Sequence, residues 1–393
     1  MHGAVLNSAA LAKWNFSAGT ETPPGGVIVR KPGTSEPYGL IMETAYLPVF
    51  ASLPKPTREQ EAEWSRAGQM LYAAAGVTTA HEGATHANEV ELMKRAAAAG
   101  ANLIDVVAFP FITDLDEVLA NNLVSGWGQY DHGLELGGVK ITIDGSPQGK
   151  TAYFTTPYLT GGPGGEQDWR GELTFPEETV RQMVKRVYDM NVPLILHANG
   201  DAAIDVFLSA LEAAKGSENR PWNVTVIHSQ FVRKDQLDAY ARLGVRPLLY
   251  TLHTYYFAEA HIANRGQAQA SYISPMRDAI DKGLAPTNHT DFYVAPIDQM
   301  FMMWSAVNRV SRGGEVIGPD QRISALEALR SMTIAAAAQY GEEASKGSLV
   351  PGKRADLVIL DRNPLKVEPM AIQEIQVVET IKDGKTIYAR ASR

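Results

Sequence analysis

Four residues of this chain have side chains suited to catalysis and recur at matching places: Lys140, His197, His228 and Asp291. Each lies at or near the end of a short β-branched, apolar run: "GGVKITID" (137–144), "VPLILHAN" (192–199), "NVTVIHSQ" (223–230) and "LAPTNHTD" (284–291). Side chains alternate along a strand, so each strand end can aim one inward residue at a common axis. Two imidazoles and a carboxylate suit a divalent ion, zinc foremost, in an open catalytic site. A lysine fits that company only if its amine is made less basic by burial and nearby cations and takes up CO2 as a carbamate. The product is an anionic oxygen ligand able to bridge two metals. Taken singly, each residue has a plainer reading: a hydrogen-bonded strand-end histidine, an ion-paired lysine, a turn-capping aspartate. The argument is carried by the ordered set, one residue per repeating unit. The same Lys140 amine could instead serve as the nucleophile of a Schiff-base lyase or aldolase.

The elements that must position this set follow one rhythm. Further strand-like runs stand at "GVTTAHE" (76–82), "NLIDVVAF" (102–109) and "RPLLYT" (246–251), with helical patterns between. "TREQ" (57–60) and "SALE" (324–327) read as capping boxes, and "SPMRDAI" places Pro275 inside a helix start with Ser274 as its cap. Regular alternation of strand and helix predicts parallel strands joined by crossovers. No strand is followed by a GxGxxG or GxxxxGK[ST] loop, so an open nucleotide-binding sheet has no support. Strand ends carrying Glu82, Asp144, His197, His228 and Asp291 fit a TIM-like (β/α)8 barrel, whose site gathers residues from several strands. Only seven strands are legible where closure needs eight. The opening "VLNSAALAKWNF" reads as helical or irregular, not as a strand, and about 17–42 as a loop or hairpin insertion. The barrel is thus expected over 1–342. Residues 343–393, with alternating runs and an Asp383–Gly384 turn, are expected to form a small β domain.

Composition narrows the function. Of 393 residues, 45% are hydrophobic and 20% charged, as in a globular protein, and the net charge of −8 offers nothing to nucleic acid or an anionic membrane. Cysteine is absent, which removes disulfides, thiolate nucleophiles and Cys-ligated zinc. No apolar run approaches the ~20 residues of a membrane helix. The N-terminus lacks the basic and apolar regions of a signal peptide, which leads to a cytoplasmic expectation. The expected partner is a small-molecule substrate.

With these residues in view, the sequence resembles the amidohydrolase superfamily, within its amidohydrolase-3 (YtcJ-like) branch, which includes N-substituted formamide deformylases. The matching segments are "GGVKITIDGSPQGKTA" (137–152), "LHANGDAAID" (196–205), "VIHSQ" (226–230), "HTYYF" (253–257) with His261, "NHTDFYVAPIDQM" (288–300) and "KGSLVPGKRADLVILD" (346–361). They follow the family's order over nearly the whole chain, and the last belongs to the family's small β-sandwich domain. The resemblance implies a hydrolase of amide-like C–N bonds using one or two metal ions, most readily Zn2+. It makes Lys140 the carboxylated lysine, His197 and His228 metal ligands, and Asp291 both ligand and general base toward water. It also places Gln148, His253, Tyr255, Tyr256, His261 and His289 beside substrate, although a plain turn at Gln148 and ordinary aromatic packing at 253–261 account for those residues as well. The family carries a His-x-His pair on strand 1, and none of the nine histidines here is spaced by two. The expectation is therefore a barrel lacking strand 1 and part of the sandwich. Its open edge could pair two copies into a homodimer, and it could leave the chain inactive.

Overall fold

A computed structural model describes residues 3–217 and 220–391. Met1 and His2 of the opening segment, and the last two residues of the small β domain, lie outside it. An antiparallel sheet comes first: β1 (Gly3–Val5), β2 (Gly26–Arg30) and β3 (Pro37–Glu43), in the order β1-β3-β2. The expected hairpin insertion is thus β2–β3. The opening segment, however, does contribute a strand, because Gly3 to Val5 pair with Met42 to Leu40 before the helix Ser8–Lys13 begins. Three residues without alternation are too few to read from sequence.

The main sheet strands then follow in chain order: β4 (Thr79–Thr85), β5 (Asp105–Pro110), β6 (Leu134–Leu136), β7 (Val139–Thr142), β8 (Leu194–Ala198), β9 (Val224–His228), β10 (Val245–Leu249) and β11 (Thr287–Asn288). All their pairings are parallel. Helices supply the crossovers. Glu177–Met190, for example, buries Val180, Val184, Val187 and Tyr188, one helical stripe, and ends on Asn191 in the left-handed region at φ 55°. The box at Thr57 forms, with Gln60 accepting from the Thr57 N–H at 3.0 Å, as does the box between Ser324 and Glu327. The expected Ser274 cap does not: the helix is Met276–Asp281, and Ser274 turns at φ 45° to donate to the Tyr250 carbonyl.

Eight segments occupy seven strand positions, because β6 and β7 are halves of one strand broken at Gly137–Gly138. β6 pairs with β5, β7 with β8, and a single bridge from Phe111 to Lys140 joins the two sheets. Two close approaches force the break. A Cβ on Gly137 would meet Val107 at 2.4 Å, and one on Gly138 would meet the Pro193 carbonyl oxygen at 2.2 Å. Among the described residues β11 and β4 are not hydrogen-bonded to each other, so the sheet is not closed.

Val107, Phe109, Ile195, Ile227 and Leu248 fill the interior as one apolar cluster, flanked by Tyr130 and Tyr340. Lys140 pairs with Ile195, and Leu248 with Thr287, which fixes the inward face of each strand. The C-terminal segment is a single antiparallel sheet, β12 (Leu357–Leu360), β13 (Val377–Lys382) and β14 (Lys385–Ala389), turned at Asp383–Gly384. It docks on the helix Arg58–Ala74, and a buried ion network seals the joint: Asp105 meets Lys346 at 2.7 Å and Lys382 at 2.9 Å, and Lys382 meets Asp356 at 2.9 Å. The described residues give this sheet no second layer, so the expected sandwich portion is one sheet against a helix. No described helix is long and apolar enough to cross a membrane.

The strand break yields a prediction. Gly138→Ala should push Pro193 away and break the 2.9 Å bond from the Val139 N–H that starts the β7–β8 pairing, destabilising the fold by about 2–4 kcal/mol. Gly126→Ala, with nothing within 4 Å, should stay within about 0.5 kcal/mol of the parent. Urea denaturation of the two variants reads the difference.

Candidate active site at the strand ends

Inward alternation delivers Lys140 from β7 and His197 from β8, and carries on to Tyr250 just after β10 and His289 just after β11. His228 ends β9 with φ 72°, and Ser229 follows at 43°. Non-glycine residues in that region store strain of order 1 kcal/mol or more, so the surroundings must hold them there. They do: Ser229 N–H donates to the Ala198 carbonyl at 3.0 Å, and Phe231 N–H to that of Asn199 at 2.9 Å. The twist turns the His228 ring onto its neighbours, 4.6 Å from His197 and 4.9 Å from His289 between centroids. Tyr250 stacks beside His289 at 4.7 Å and His253 at 4.5 Å. His253 in turn shares a 2.9 Å hydrogen bond with His261. Five histidines from four strand ends thus form one continuous buried cluster.

Asp144 fixes one side of it. Its buried carboxylate accepts N–H bonds from Asn199 at 2.9 Å, Gly200 at 2.8 Å and Tyr153 at 3.1 Å. It also lies 3.4 Å from His197 Nε2. Asn199 Nδ2 and the Gly145 carbonyl flank the same nitrogen at 3.0 and 3.3 Å, so the imidazole is oriented by the loop that follows its own strand and by the one after β7.

The electrostatics follow from burial. Lys140 is 4% exposed and has no side-chain hydrogen bond among the described residues. Burial lowers its amine to about 8, against the opposing pull of Asp291 and Glu82. Burial likewise lowers His81 and His261 to about 3 and His289 to about 4, and holds His228 well below its ordinary value. At neutral pH these imidazoles are neutral, the form that ligates metal. Among the described residues, His228 Nδ1, His289 Nε2, His81 Nε2 and the Tyr250 hydroxyl have no hydrogen-bond partner. Four such polar atoms in one buried region could each take a ligand. In kind, the donors fit a divalent ion. As placed, no group of three His, Asp or Glu side chains among the described residues closes on one point.

Of the residues expected at the site, the structure brings together Lys140, His197, His228, His289, His253 and His261. Asp291 turns at φ 52°, makes no side-chain hydrogen bond among the described residues, and acts on Lys140, His289 and Tyr250 through its field. Gln148 sits in the loop after β7 with Oε1 buried and unpartnered. Tyr255 stands apart, packed on Phe301 and Trp304, whereas Tyr256, also against Phe301, packs on the cluster of Tyr250 and Leu252. His81, whose Nδ1 meets the Tyr340 hydroxyl at 3.0 Å, also faces inward, and Tyr250 is a site residue not singled out from sequence. Alternation back from the end of "RPLLYT" was the available signal for Tyr250.

The model of the amidohydrolase family Amidohydro_3 matches residues 1–388. The N-substituted formamide deformylase of Arthrobacter pascens is 27% identical over 400 residues, covering 99% of this chain and 72% of that protein. The putative amidohydrolase YtcJ of Bacillus subtilis is 25% identical over 404 residues, covering 99% and 73%. Among solved structures, uncharacterized metal-dependent hydrolases of Pyrococcus horikoshii and Pyrococcus furiosus share the fold. Their TM-scores are 0.74 and 0.72 at 23% and 24% identity, over 94% and 93% of this chain and 71% of each of theirs.

The buried neutral histidines set a pH dependence. With folded values of about 3 to 4 and an unfolded value near 6.5, His81, His261 and His289 resist protons that the unfolded chain accepts. Their contribution is complete above about pH 6.5 and is lost as pH falls toward 4, by about 1.4 kcal/mol per pH unit for each. Urea unfolding of metal-free protein should show several kcal/mol less stability at pH 5 than at pH 7; a flat profile would contradict the placement of these rings.

Proposed function

The chain belongs to the amidohydrolase family, and from that footing we propose that it hydrolyses the C–N bond of an amide- or formamide-like small molecule. His197, His228, Asp291 and a carboxylated Lys140 would hold a divalent metal, zinc before others. The supporting observation is the inward row of Lys140, His197 and His289 on β7, on β8 and beside β11, with His228 packed against it and polar atoms left without partners. Bound there, a divalent ion would polarise the substrate carbonyl and lower the pKa of water toward neutrality.

The chain's own groups do the rest. Lys140, with its amine lowered to about 8, adds CO2 by forming an N–C bond and releasing a proton; the carbamate replaces a buried cation with an anion. Asp291 takes the proton of the attacking water and hands it to the leaving nitrogen. Asp144 and Asn199 keep His197 in one orientation. His289 and Tyr250 offer unpartnered polar atoms to the substrate carbonyl, and His253, His261 and Gln148 border the same space. The low basicity of Lys140 also favours a second reading, a Schiff base between its amine and a carbonyl substrate.

Elemental analysis of the purified chain and turnover of a panel of N-substituted formamides and acetamides separate these readings. We expect His197→Ala and His228→Ala to lose bound metal and at least 10³-fold in kcat/KM, and Asp291→Asn to lose turnover with most of its metal retained. Unchanged metal in both histidine variants would remove the ligand assignment. Borohydride trapping of Lys140 with substrate, undisturbed by chelator, would decide for the Schiff base.

A further inference from the structure

At the opposite end of the parallel strands, the strand starts border a cavity of about 560 Å³. Its walls include Phe109, Trp127, Tyr130 and Tyr340, and two carboxylates, Glu135 and Glu342. Glu135 lies on β6 opposite Val107, a member of the interior cluster, so its side chain is on the inward face. It is 7% exposed, and among the described residues it has no hydrogen bond and no ion pair. The neighbouring cations are committed elsewhere. Lys346 meets Asp105 and Glu342 Oε1 at 2.7 Å and the Tyr130 hydroxyl at 3.2 Å. Arg354 lies against Asp105 and Asp383. Glu342 keeps Oε2 buried without a hydrogen-bond partner among the described residues.

A buried carboxylate without a partner is costly, and a cavity beside it with aromatic walls is the environment that receives an organic cation. We propose that this cavity binds a small organic ammonium ion, its charge against Glu135 and Glu342 Oε2 and its alkyl chain against the aromatic walls. Burial and the proximity of Glu342 push the Glu135 carboxyl up to about 7, against the opposing pull of Lys346. A metal ion suits the site less well, because two carboxylates without a third donor do not complete a coordination shell. Phe109 and Ile195 of the interior apolar cluster line the cavity, and the proposal does not depend on the hydrolase reading.

Isothermal titration of the full chain with n-butylammonium chloride tests it, with n-butanol as the neutral analogue of matching shape. We expect saturable binding with a dissociation constant on the order of millimolar, given so few ligand atoms. Binding should weaken tenfold or more in Glu135→Gln, and n-butanol should give no saturable heat. If Glu135→Gln fails to fold, Glu342→Gln must show the weakening. Absence of saturable binding to the parent chain, undiminished binding in the folded variant, or equal binding of n-butanol overturns the proposal.

Discussion

The strand-end cluster depends on one buried carboxylate. Asp144 is 1% exposed and receives three backbone N–H groups, from Tyr153 in its own loop and from Asn199 and Gly200 after β8. A carboxylate in such a place is stable only because it is saturated with donors, and the donors in turn are fixed by it. The consequence spreads along the chain. Gly200 is held so close to Tyr153 that a Cβ would lie 1.9 Å from its carbonyl oxygen. Asn199 is thereby set to bond Gly145 and flank His197, and its carbonyl receives the Phe231 N–H that steadies the turn after His228. One anion thus registers three loops, and two imidazoles depend on that register.

The rest of the cluster is ordered by alternation and packing, not by polar bonds. The parallel strands are buried on both faces, with Val139, Ile141, Leu194, Leu196, Val224 and Val226 outward against the helices and the smaller apolar layer inward. With both faces fixed, no strand can slip by one residue without exposing its core set, so Lys140 and His197 point to the axis because Ile141 and Leu196 point to the helices. Closure is not needed for this. The sheet remains unpaired between β11 and β4, yet β7 to β11 already carry the whole cluster.

That logic explains what the sequence made legible. Runs such as "VPLILHAN" announce a buried strand and a polar residue at its end, so His197, His228 and Lys140 could be read off with their neighbours in order. The break at Gly137–Gly138 could not, because only the approach of Val107 and Pro193, distant in sequence, makes two glycines necessary. Ser274 has the chemistry of a cap, but the Tyr250 carbonyl claims its hydroxyl. Tyr255 shares a motif with His253 yet parts from it, since a helical turn rotates successive side chains by about 100° and carries Tyr255 into the helix layer. Tyr250 was hidden by its type: an aromatic at a strand end reads as core until its neighbours prove to be imidazoles.

The same low-polarity interior governs both ends of the parallel strands, with opposite results. Lys140 and Glu135 lie five residues apart on one broken strand, both facing inward, on either side of the Gly137–Gly138 kink. Burial lowers the basicity of the amine and raises the pKa of the acid, each toward neutrality. They do not relieve each other by pairing, since neither makes an ion pair among the described residues. Two unpaired ionisable groups cost stability that a helix-facing leucine would not. The two altered proton affinities thus share one cause, burial at each position, and neither group compensates the other.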